Sequence, residues 1–217
     1  LDITPAIRDA LKQYHRDLYA YRSGVLGAVR PAPFVGEDEL SRREAESEFQ
    51  LWDTYRSLII ATLDRFPELE KDRADNDKRF TSSHEMAIDD MQVEVIGDEA
   101  IVAVSVGVPE ALRRVAGEWK YDLTKTQQLQ RVFLQQPLGK TPRETVIAAN
   151  LDQAKAFREV ASGVKKGKYS SVEGVKADLA AFQNARLSAR AEKANTTSNI
   201  EPPRNLSTNA VTTAPAR

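Results

Sequence analysis

Histidine is the side chain whose proton is most readily exchanged near neutral pH, and this chain has two, His15 and His84. Neither stands in an HExxH or a two-His-carboxylate pattern, so no metal site is expected. His15 lies one step off the apolar seam of its helix, as a partly exposed packing residue. His84 precedes Glu85 in a polar stretch and reads as a surface or capping residue. Cysteine is absent, which removes disulfide frameworks, thiolate nucleophiles and Cys-ligated metals. There is no GxSxG, and a Ser-His-Asp triad would have to use one of the two histidines. Asp72, Asp75, Asn76 and Asp77 are acidic enough for calcium, but the EF-hand order of alternating ligands, a Gly and a closing Glu is missing. The stretch Gly163 to Ser170 superficially resembles a phosphate loop. It has three residues between its glycines instead of four, Tyr169 stands where Ser or Thr would meet magnesium, and it follows a helix. Carboxylates near one another, Asp89, Asp90 and Glu94, or Glu118 beside Trp119, could do acid–base work without histidine, but no spacing places them in one pocket. No catalytic, cofactor-binding or metal-binding residue is assigned, no cofactor is expected, and the chain reads as a non-enzyme.

Charge is more informative. The chain has 217 residues with 31 Lys+Arg and 32 Asp+Glu, a net charge of −1. That near-balance hides a split: residues 1–108 hold 13 basic and 22 acidic side chains, and residues 109–217 hold 18 and 10. The halves could cancel within one chain, or the basic end of one copy could meet the acidic end of another subunit. Lys165, Lys166 and Lys168 form the densest basic cluster, with Tyr169 the one aromatic beside it. These four are the candidate interaction residues. A lone aromatic makes a thin stacking platform for a nucleic acid strand.

The elements that must carry these residues follow from spacing and punctuation. Thr4 and Pro5 open a helix, along which Ile7, Leu11, Tyr14, Leu18, Tyr21 and Val25 form a coiled-coil-like seam. A second helix runs from about Asp38 to Phe66, with Ala45, Phe49, Trp52, Ile59, Leu63 and Phe66 as its stripe, and the short Pro-rich loop between them predicts an antiparallel helical hairpin. Residues 67–83 are polar and read as a loop or a frayed helical extension. Met91, Val93 and Val95, a Gly97-Asp98 turn and the β-branched run Ile101 to Val106 predict a β-hairpin. Pro109 to Val115 looks like a short helix. Trp119, Tyr121 and Leu123 alternate as a strand, and Gln128 to Leu134 fits either strand or helix; if both are strands, the sheet has four. Capping boxes at Thr141–Glu144 and Ser170–Glu173 open two more helices.

The fold class is therefore α+β and helix-dominated. The divisions are a helical hairpin at 1–66, a central hairpin or small sheet at 67–140, C-terminal helices at 141–194 and a flexible Ser/Thr/Asn/Pro-rich tail at 195–217. The hairpin over Met91 to Val106 resembles that of the nuclear-transport-factor-like cone fold. The long helical C-terminal part departs from that fold, no family residue carries over, and no family is assigned. No apolar run approaches the ~18 residues of a membrane span. The chain begins at Leu1, which reads as a processed N-terminus, of an exported protein or of a matured assembly component.

Three functions are expected, in order. The first is a structural or interaction subunit whose partners are other protein subunits or further copies of itself. The second is a small-molecule-binding or enzymatic α+β domain with a pocket between sheet and helices, lined by Trp119, Tyr121 and Phe133. The third is a nucleic-acid-binding module using the basic half.

Overall fold

A computed structural model describes residues 2–103, 108–133 and 143–198. In chain order these form α1 (Thr4–Arg22), α2 (Glu39–Arg65), α3 (Leu69–Asp89), β1 (Gln92–Ile96), β2 (Glu99–Ala103), β3 (Glu110–Val115), β4 (Glu118–Tyr121), α4 (Leu123–Phe133), α5 (Arg143–Lys165) and α6 (Val172–Ser198). The strands make one antiparallel sheet in the order β1-β2-β3-β4. The helix-dominated α+β class is thus observed, and among the described residues no helix is long and apolar enough to cross a membrane. The chain divides after Leu179. From Ala180 the second unit continues as helical backbone to Ser198. Thr141 and the tail beyond Ser198 lie outside the described residues.

The sheet forms because its inner face is apolar at every second residue. Val95, Ala100, Leu112 and Tyr121 lie in one cross-strand row, with Val93 and Val102 in the next. Ile7, Leu11 and Tyr14 of α1 are buried on that face, with Ile88 of α3, Ala45 of α2 and Leu123 closing the first core. The α1 seam is therefore covered mainly by the sheet and α3. α2 meets α1 near the latter's end, where Arg56 donates to the carbonyls of Tyr21 (2.5 Å) and Val25 (3.0 Å). The rest of α2 lies along α5. Leu58, Ala61 and Phe66 join Phe157, Val160, Ala161, Val164, Tyr169 and Val175 in a second core. Gly163 permits this packing: a Cβ there would stand 2.9 Å from the Tyr169 ring.

Several expectations change. Residues 110–115 form strand β3, not a short helix, because their partners across β2 outweigh the helix-forming tendency of Glu, Ala, Leu and Arg. Of the two readings of residues 67–83, a loop or a frayed helical extension, the helical one is the nearer: Leu69–Asp89 forms a helix of its own, α3. Glu70, Arg73 and Asp77 support it through bonds one turn apart. Of the two readings left open for Gln128 to Leu134, Leu123–Phe133 takes the helical one, and the sheet's last two strands are 110–115 and 118–121, the latter overlapping the expected Trp119–Leu123 strand. Asp122, 2 % exposed, makes that switch by accepting from the Lys125 amide (2.8 Å) at the start of α4. The caps also shift. Asp2 rather than Thr4 serves α1, accepting from the Thr4 amide. Ser171 rather than Ser170 serves α6, accepting from the Gly174 amide.

Candidate functional site

Two helical ladders bring the histidines together. His15 and Tyr19 stand one turn apart on α1, and Phe80 and His84 one turn apart on α3. Tyr19 stacks on Phe80 at 4.2 Å between centroids, Phe80 stacks on His84 at 5.2 Å, and His84 meets His15 edge-on at 4.4 Å. Glu110 completes the group. It lies two residues from Leu112 on β3, so it shares the inner face, and its carboxylate is 2.8 Å from His15 Nε2. A carboxylate on one ring nitrogen fixes the orientation of the imidazole. Behind them Tyr14 and Tyr121 stack at 3.9 Å. Burial lifts both phenols far above the ordinary tyrosine value, so neither supplies a phenolate.

A cavity of about 390 Å³ opens beside this ladder, among α1, α2 and α3. Tyr19, Phe80 and Tyr55 give it aromatic walls, with Leu18 and Ile59 as aliphatic lining. Its polar lining is His15, Arg22, Ser23, Arg73 and Asn76. Arg73 is already held by Glu70 and by Asp77 at 2.7 Å. Arg22 makes no ion pair among the described residues and lies 5.5 Å over the Tyr55 ring. No carboxylate lines this cavity. The position differs from expectation, since the cavity lies among three helices. Tyr121 belongs to the core and Trp119 packs against it, and the Phe133 side chain lies outside the described residues.

A second cleft, about 340 Å³, lies among α2, α4 and α5, with Arg22 also on its rim. Here the acidic and basic halves meet within one chain. Glu44, 1 % exposed, accepts from Arg131 and Arg143, each at 2.6 Å. Arg143 also donates to Ser41 Oγ at 2.8 Å. Glu48 accepts from Gln127 at 2.5 Å, and burial raises its carboxyl above the usual range.

The residues singled out by sequence lie elsewhere. Lys165 and Lys166 are exposed at the end of α5. Lys168 is paired with Asp178 at 2.6 Å. Tyr169 is 6 % exposed, its ring in the second core and its hydroxyl donating to Asp178 at 2.6 Å. Its ring is therefore covered and presents no stacking face to solvent. Sequence reasoning missed the His15–His84–Glu110 group. Phe80 and His84 at helical spacing were a usable signal, but only once 67–83 is read as helix. Among the described residues no group of three potential ligands is arranged to hold a metal ion.

His84 carries an expected pH effect. Its Nε2 is buried without a hydrogen-bond partner, and burial, followed by the neighbouring His15, lowers its pKa. The unfolded chain therefore takes up this proton first as pH falls through the ordinary value of 6.5, and the folded state loses stability from there down to the lowered folded value. Thermal melts of wild type and His84→Phe from pH 7.5 to 5 check this. The variant keeps the stack on Phe80 and should lose less stability over that interval than wild type.

No family model matches the chain, no curated protein matches it, and no solved structure matches it.

Proposed function

We propose that this protein is a small-molecule-binding domain and that the cavity among α1, α2 and α3 is its site. The observation that carries the reading is the lining. Three aromatic and two aliphatic side chains line a volume of about 390 Å³ beside five polar ones, and of these Arg73 and His15 are already held by carboxylates. Mostly apolar concavities of this size with sparse, placed polar groups are the usual form of small-molecule sites. The reading assigns binding and no reaction.

A role as an assembly subunit comes second. Its electrostatic support was the split in charge, and the Glu44–Arg131–Arg143 contacts use part of that split inside the chain. Lys165 and Lys166 remain exposed and available to a partner.

The test uses N-phenyl-1-naphthylamine, a neutral apolar dye that brightens when taken out of water. Wild type should bind it saturably. Asn76→Trp places a large ring at the cavity from the exposed face of α3, and should weaken dye binding by about tenfold or more, the loss of roughly 1.4 kcal/mol of contact. Equal binding by wild type and Asn76→Trp would place the dye elsewhere and remove the reading.

A further inference from the structure

We infer that the ligand of the α1–α2–α3 cavity is an organic anion, an aromatic or aliphatic body carrying one carboxylate or sulfonate, with the charge received by Arg22. The inference rests on the binding reading above and adds the chemical class. It follows from which lining charges are already satisfied.

Of the ten lining residues none is acidic, and two are arginines. Arg73 is held in place by carboxylates of its own helix, Glu70 and Asp77. Arg22 has no such partner among the described residues; its guanidinium lies over the Tyr55 ring at 5.5 Å. A guanidinium over an aromatic face, with no carboxylate partner, has N–H groups free to meet an oxyanion in a bidentate pair. Asn76 on α3 also lines the cavity and adds amide donors, and Ser23 lines it with its hydroxyl donating to the Ala20 carbonyl at 3.4 Å. The apolar lining is Tyr19, Leu18, Ile59, Tyr55 and Phe80, which suits an uncharged ring or chain. Arg22 is an exposed residue, so the anion stays at the rim and keeps part of its hydration. Glu110 faces His15 and Asp77 faces Arg73, so Arg22 is the lining charge that a cationic ligand would meet without a paired carboxylate.

Glu48 lines the other cleft that Arg22 also lines. It feels the Arg22 charge, yet burial still raises its pKa and its hydrogen bond goes to Gln127. Arg22 is thus the shared rim of both cavities, with no ion pair fixed on either side.

Three probes of one shape test this by isothermal titration of the full chain: 2-naphthoate, its neutral isostere 2-naphthamide, and cationic 2-naphthylmethylamine. The expected order is naphthoate first, by about tenfold over naphthamide, with the amine weakest. Arg22→Gln should bring the naphthoate-to-naphthamide ratio close to one, Arg22→Lys should keep a reduced preference, and added salt should narrow the ratio in wild type. Equal binding of naphthoate and naphthamide by wild type, or a preference that survives Arg22→Gln, overturns the anion inference and leaves the cavity reading standing. Failure of both naphthoate and naphthamide to bind overturns the two together.

Discussion

Replacing Arg131 and Arg143 together with methionine should cost about 3–5 kcal/mol, because it strands an ionised carboxylate in the protein interior. Glu44 is 1 % exposed and takes a 2.6 Å contact from each arginine, while the arginines themselves keep some access to water. The penalty therefore falls on the glutamate, whose hydration is already gone. At about 2–4 °C per kcal/mol for a domain of this size, the melting temperature should drop by roughly 6–20 °C. Adding Glu44→Met to the double variant should recover most of the loss, since an apolar trio of similar bulk removes the uncompensated charge. A triple variant as unstable as the double would show that arginine packing, not charge, holds α2 to α4 and α5.

Leu11→Ala should cost about 2–5 kcal/mol, the range for a large aliphatic side chain removed from a packed interior. Leu11 is fully buried among the inner-face residues of the sheet. The gap would lie between α1 and two or more strands, so no single element can move to fill it. Leu26 is the internal control. It is 98 % exposed in the loop after α1, and its change to Ala should stay within about 0.5 kcal/mol. Urea unfolding checks both: a lowered midpoint with an unchanged slope for Leu11→Ala marks lost stability alone. Similar midpoints for the two variants would contradict the placement of α1 on the sheet.

The difference between what the sequence disclosed and what it hid has a physical pattern. Helices α1, α2, α5 and α6 were legible because each has both punctuation and an apolar stripe, and the β1–β2 hairpin because its turn is Gly97-Asp98 between alternating residues. Helix α3 was obscured because Ile88 is its one fully buried side chain. Its evidence was the charge spacing of Glu70, Arg73 and Asp77, which polar composition masked. The β3–β4 hairpin turns on Ala116 and Gly117, both at positive φ (51° and 89°). An alanine there gives none of the usual Asn or Asp warning, so the sequence carries no turn signal that would mark residues 110–115 as a strand. Glu110 faces His15 only if its segment is a strand, and His84 faces His15 only if its segment is a helix. The charge split was visible in sequence, but the Glu44–Arg131–Arg143 contacts that use part of it within the chain depend on tertiary packing that spacing does not encode.

The long interval between packing partners also sets the timetable of a growing chain. The apolar face of α1 has to wait for Ala100, Val102, Leu112 and Tyr121. Leu58 and Ala61 of α2 have to wait for Phe157, Val160, Ala161 and Val164, about a hundred residues later, on the order of 5–20 s at ~5–20 residues per second of translation. During that time the α2 face is present on the ribosome with its α5 partners unmade, and the α1 face lacks its sheet until Tyr121 has emerged. The N-terminal half therefore cannot mature ahead of the rest, and a message truncated before α5 would yield a product that holdase chaperones and proteases recognise as unfinished.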